Sequence, residues 1–76
     1  MNALKELSKI EGDINKWKWL MENQEAGLIV NLDNDDTFVT DPDSEDDFCV
    51  DFDGYVGWSD GVISLLEAIG IKAEPV

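Results

Sequence analysis

Apolar residues recur at spacings of three and four along the first quarter of the chain: Leu4, Leu7, Ile10, Ile14, Trp17 and Met21. Such spacing lines one face of an α-helix. Asn2 is placed to cap its first turn with a side-chain oxygen. Gly12 interrupts the stripe and costs about 1 kcal/mol relative to Ala. The stripe keeps its phase through that position, so the pattern predicts one helix over residues 3–24, stopped by Gly27. The period then changes to two. Gly27 to Leu32 is predicted as a strand, with Leu28, Val30 and Leu32 on one side and Ile29 and Asn31 on the other. Asp33-Asn34-Asp35-Asp36 is a turn, because Asp and Asn tolerate tight backbone geometry. Thr37 to Thr40 is a short second strand, and Asp41-Pro42 opens a loop. Phe48, Val50 and Phe52 alternate with Cys49, Asp51 and Asp53, which predicts a third strand. Connections this short imply an antiparallel meander.

Ser59 suits the N-cap of a last helix, and Asp60 in its first turn suits the helix dipole. Val62, Leu65, Leu66 and Ile69 are its expected buried face. Gly70 followed by Ile71 reads as a Schellman stop, and the tail from Lys72 is expected to fray. The expected fold is α+β: a three-stranded antiparallel meander flanked by an N-terminal and a C-terminal helix (αβββα), forming one domain over residues 1–76. Two layer arrangements stay open. Both helices can cover the Leu28, Val30, Phe48, Val50 and Phe52 face, leaving Ile29, Val39 and Cys49 beside Asp51 and Asp53. Alternatively, one helix covers each face.

Charge changes this picture of an ordinary small domain. The chain carries 18 acidic residues against 5 lysines, a net charge of −13. Eleven of the acids lie between Asp33 and Asp60 with no basic residue among them: Asp33, Asp35, Asp36, Asp41, Asp43, Glu45, Asp46, Asp47, Asp51, Asp53 and Asp60. Four of the lysines precede Met21, and the fifth is Lys72. Crowded like charges oppose folding. Such a surface repels bare nucleic acid and anionic membranes, and attracts a basic protein groove. A high-salt adaptation spreads acids over the whole surface, which the near-neutral first segment contradicts. The 43% hydrophobic content exceeds that of a disordered acidic tail.

Several chemistries find no residues here. The chain has no His, which removes His-based triads, general bases and metal ligands. Cys49 is the lone cysteine, so no internal disulfide forms and a reduced, cytoplasmic setting is expected. Its acidic neighbours raise its pKa rather than activate it. An EF-hand loop needs Gly at the sixth position and Glu at the twelfth. A start at Asp33 puts Phe38 sixth, and a start at Asp41 puts Asp46 sixth and Phe52 twelfth, so neither fits. No phosphate-binding glycine motif is present. The first residues lack the continuous apolar stretch of a signal peptide, so none is expected, and no apolar run approaches the roughly 18 residues that span a membrane. The expectation is therefore no catalysis, no cofactor and no dedicated metal site, with weak, non-motif cation binding by Asp41, Asp43 and Glu45 as a third alternative. Trp17 and Trp19 diverge by about 200° on a helix. Trp17 falls on the buried stripe, and Trp19 falls off it, either packed under a loop or serving as an anchor in a homodimer or partner interface.

Alternate strand residues lie about 6.6 Å apart on one face, so acids on a strand present charges at a regular interval, as DNA does. The segment GLIVNLDNDDTFVTDPDSEDDFCVDFDG, residues 27–54, together with the helix–three strands–helix order, resembles the small acidic phage-encoded inhibitors of host nucleic-acid enzymes. Anti-CRISPR proteins are the nearest group. The resemblance rests on size, charge and element order over the whole chain, and the near-neutral first helix departs from the most uniformly charged mimics. It implies a stoichiometric blocker that occupies the site where a CRISPR effector complex binds its target DNA. Asp33, Asp35, Asp36, Asp41, Asp43, Glu45, Asp46, Asp47, Asp51 and Asp53 are expected to supply the charge, and Tyr55 and Trp58 apolar contact. The alternative is an acidic adaptor or subunit-interface module without DNA mimicry.

Overall fold

Gly12 divides the first predicted helix in two. The computed structural model describes residues 2–44, 48–57 and 59–76. In it, α1 runs Ala3–Ser8 and α2 runs Asp13–Glu22, with a short 3-10 turn over Gln24–Ala26. Gly12 has φ +85°, a left-handed value that a helix cannot carry. The break resets the phase of the stripe. Leu4 and Leu7 are buried, but Ile14 is 72% exposed and Met21 is 43% exposed. The buried edge of α2 is instead Lys16, Trp17 and Leu20. Asn2 caps α1 as expected, its Oδ1 accepting from the N–H groups of Leu4 at 3.0 Å and Lys5 at 3.3 Å. Gly27 ends the segment at φ +74°.

Four strands follow, where the pattern predicted three. β1 is Ile29–Leu32, β2 is Thr37–Thr40, β3 is Cys49–Asp51 and β4 is Ala73–Pro75, with α3, Asp60–Ala68, between the last two. The sheet order is β3-β2-β1-β4. The meander β1-β2-β3 is antiparallel as expected, but β4 runs parallel to β1, so the sheet is mixed. The tail expected to fray is thus a strand. Lys72 O accepts from Val30 N–H at 2.8 Å, and Leu32 O accepts from Val76 N–H at 3.0 Å.

Register places Val30 opposite Val39, Val39 opposite Val50, and Val30 opposite Ala73. This apolar row faces Leu4, Leu7, Leu20, Leu66 and Ile71 in one core cluster. Val39, expected on the opposite face, is fully buried, because its pairing with Val30 fixes it on the core side. Phe38 takes the outer face. Phe48, expected in the core, is 44% exposed. β2 ends at Thr40 opposite Cys49, so Phe48 has no pairing position.

α3 begins at Ser59, whose Oγ accepts from Val62 N–H at 3.3 Å. It ends at Gly70, φ +88°, with Ile71 N–H reaching Leu66 O at 2.8 Å and Gly70 N–H reaching Glu67 O at 3.0 Å. Those are the two bonds of a Schellman motif. Ile71 follows into the core. The buried arc of α3 is therefore Val62, Ile63 and Leu66, while Leu65, 62% exposed, and Ile69 turn outward. With the core formed between the helices and one side of the sheet, the other side lies open.

Candidate acidic interface

The open side is built by the strands' second set of residues. Register aligns Glu74, Asn31, Phe38 and Asp51 in one row across all four strands, and Ile29, Thr40 and Cys49 in the next. Strands lie about 4.8 Å apart, which puts the two carboxylates at opposite edges of the face. Asn31 and Phe38 lie between them, half-buried. Asn31 is held in place, its Nδ2 donating to Thr40 Oγ1 at 2.9 Å. Glu74 was missed by sequence reasoning, because only the parallel pairing of the tail brings it here. Phe38 was missed because the alternation of β2 was read in the opposite phase.

The predicted acids divide between the two ends of the sheet. Asp33, Asp35 and Asp36 form the β1–β2 turn, closed by Asp33 N–H to Asp36 O at 2.9 Å. Asp36 Oδ1 also accepts from Thr37 N–H at 2.9 Å. Because Asp51 pairs with Phe38 and Phe52 N–H donates to Thr37 O, Asp53 reaches this same end. Asp41 and Asp43 lie past β2, at the opposite end. Asp41 Oδ1 accepts from Asp43 N–H at 3.0 Å, a turn held by its own side chain. Asp51 lies between the two groups. β2 is four residues long, so Asp36 and Asp41 on either side of it stand five residues, or roughly 16–17 Å, apart. That exceeds the Debye length of about 8 Å at physiological salt. The acids thus act as two patches with Asp51 between them. Glu45, Asp46, Asp47 and Trp58 lie outside the described residues. Tyr55 is 61% exposed, and a Cβ on Gly57 would sit 2.9 Å from its hydroxyl oxygen.

The helical layer fixes the end of β3 from the core side. Asp13, in the first turn of α2, accepts from the N–H groups of Asp53 at 2.8 Å and Gly54 at 2.6 Å. Lys16 is buried at 7% exposure, and its Nζ donates to Asp51 O at 3.2 Å. The same Nζ lies over the Phe52 ring, 5.7 Å from the centroid. Trp17 stacks on the same ring, with centroids 4.3 Å apart and planes 13° from parallel. Aromatic pairs of this kind contribute about 0.5–1.5 kcal/mol beyond their burial. The lysine therefore serves a backbone carbonyl, and the Asp51 carboxylate is left to the open face.

Cys49 shares that face and reads its field. Partial desolvation pushes its thiol above the ordinary range, and the carboxylates of Asp51 and then Asp36 push it further. A thiol raised in this way holds less thiolate at neutral pH, and thiolate is the reactive form. Alkylation of Cys49 by iodoacetamide should therefore be slow at pH 7 and accelerate only at alkaline pH. Removing one contributing charge with Asp51→Asn should lower the pKa and speed alkylation at fixed pH, and added salt should shrink the difference. Equal rates for the two chains in low salt would show that Asp51 does not set the field at Cys49.

Among the described residues, no group of three or more His, Cys, Asp or Glu is arranged to hold a metal ion. No described helix is long and apolar enough to cross a membrane. Neither protein-family models, nor curated proteins, nor solved structures match this chain.

Proposed function

We propose that this chain is a non-catalytic, stoichiometric inhibitor that uses the acidic side of its sheet to occupy the DNA-binding groove of a host defence nuclease complex, as the anti-CRISPR proteins it resembles do. The observation that carries this reading is the segregation of charge by layer. Lys5, Lys9, Lys16 and Lys18 belong to the helical half of the chain. The open sheet face, its β3 edge and its two ends carry Asp33, Asp35, Asp36, Asp41, Asp43, Asp51, Asp53 and Glu74, while the fifth lysine, Lys72, stands one residue before β4 at the far edge of the sheet from β3. A basic groove that binds phosphates meets carboxylates there instead, and its own lysines and arginines supply the attraction. Charge steering of this kind speeds association at low salt and loses effect as salt rises.

Asp51 and Asp53 are the positions to test. Their side chains take no part in the hydrogen bonds among the described residues; Asp51 uses its carbonyl and Asp53 its N–H. The double reversal Asp51→Lys with Asp53→Lys should leave the thermal midpoint within about 2 °C, as surface changes usually do. It should weaken inhibition of DNA binding by tenfold or more. The assay is plaque formation on hosts with defined CRISPR and restriction systems, followed by DNA competition with the complex that responds. A chain that protects phage from no defence system, or that binds its target equally well with saturating DNA present, sinks competitive mimicry.

A second reading draws on the apolar centre of the same face. Ile29 and Phe38 contribute nothing to imitating phosphates, but they suit a subunit or adaptor interface, including a homodimer. It predicts a partner without a nucleic-acid groove, and binding that Phe38→Ser weakens more than the charge reversal does.

A further inference from the structure

Trp19 packs on the rim of the core away from the acidic sheet face, and it lines a trough in the helical half. The trough has a volume of about 320 Å³ and is lined by Ala3, Glu6, Trp19, Asn23, Glu25 and Ala26. We propose that it receives a guanidinium group, the side chain of an arginine on a partner protein.

The chemistry of the lining selects the ligand. Trp19 is half-buried and packs on the core cluster together with Ala3 and Ala26. The indole is therefore held from one side, and the side chains of the two alanines are apolar. Glu6 and Glu25 are exposed and contribute two carboxylates, and no basic residue lines the site. Asn23 donates its Nδ2 to Trp19 O at 2.8 Å, which leaves Oδ1 as its remaining acceptor. One aromatic face with acceptors and no donor charge suits a flat, weakly hydrated cation carrying several N–H groups. A guanidinium can stack on indole and bond a carboxylate with two parallel N–H groups. A quaternary ammonium has no N–H to offer the glutamates. The volume lies at the small end of ligand sites, which fits a side chain rather than a whole metabolite.

The walls are set before any ligand arrives. The Asn2 cap fixes the turn that carries Glu6. Gln24 Nε2 donates to Ile69 O at 3.3 Å, tying the turn that carries Glu25 to the end of α3. This site is separate from the acidic sheet side, so its fate does not depend on the inhibitor reading.

The test is a titration of the 15N-labelled chain with N-acetyl-arginine amide at low salt, followed by NMR. The indole N–H signal of Trp19 and the amides of Ala3 and Ala26 should shift together. N-acetyl-norleucine amide should produce no such shifts, and tetramethylammonium should bind several-fold more weakly. The double variant Glu6→Gln with Glu25→Gln keeps the shape of the trough and should bind the arginine amide about five- to tenfold more weakly. Its amide spectrum away from the trough should remain that of the parent chain, which confirms folding. Shifts confined to residues 33–36 and 49–53, unchanged binding by the double variant, or equal binding of tetramethylammonium would each overturn the proposal.

Discussion

Replacing Leu32 with alanine is expected to lower stability by about 3–5 kcal/mol, the range for a fully buried leucine whose surroundings cannot close over the gap. Leu32 is completely buried. It sits on a central strand, opposite Thr37 on one side and Pro75 on the other. Both neighbouring strands are anchored by backbone hydrogen bonds, so neither can slide inward to fill the space. A domain of 76 residues has roughly 4–11 kcal/mol of stability in total. The substitution therefore removes a large part of it, and a urea midpoint should fall steeply. Leu65→Ala is the matched control. Leu65 was expected in the core from spacing alone, but at 62% exposure it should change stability by no more than about 0.5 kcal/mol. Similar losses at both positions would show that the burial pattern described for β1 and α3 is wrong.

Ala73→Asp should be nearly as damaging, at about 3 kcal/mol or more, while Glu74→Lys one residue later should stay within about 0.5 kcal/mol. Ala73 is 4% exposed and faces Val30 and the core, where a carboxylate finds neither water nor a described cation. Glu74 lies on the open face in full solvent. Alternate strand residues point to opposite sides, so the contrast tests the parallel pairing of β4 directly. A frayed tail predicts that both substitutions are harmless. A melt in which Ala73→Asp matches the parent chain would remove β4 from the fold and Glu74 from the acidic face.

These two positions mark the limits of what the chain's pattern reveals. The β1-β2-β3 meander, the Asn2 and Ser59 caps and the Schellman stop at Gly70 follow from local chemistry, and each appears in the structure. Caps and turns are decided by a few adjacent residues, so their signals survive in a linear reading. Lys16 shows what is lost. By composition it is a surface cation, yet its ammonium is held on the Asp51 carbonyl and over the Phe52 ring. Asp13 likewise lies in the near-neutral segment, but its carboxylate holds the backbone of residues 53 and 54 across the molecule. Neither contact has a local signature, because each joins residues at least 35 positions apart.

For the acidic interface the division is similar. The sequence by itself determined how many carboxylates crowd the middle of the chain, that no lysine accompanies them, and that strands and tight turns carry them. Only the tertiary structure decided that Asp53 joins the β1–β2 turn while Asp41 and Asp43 go to the other end. It also decided that Glu74 crosses to the same face as Asp51 and that Val39 leaves that face for Phe38. The physical reason is register. A strand's own alternation defines two faces, but only pairing with its neighbours selects which face is buried and which residues from distant segments stand in one row.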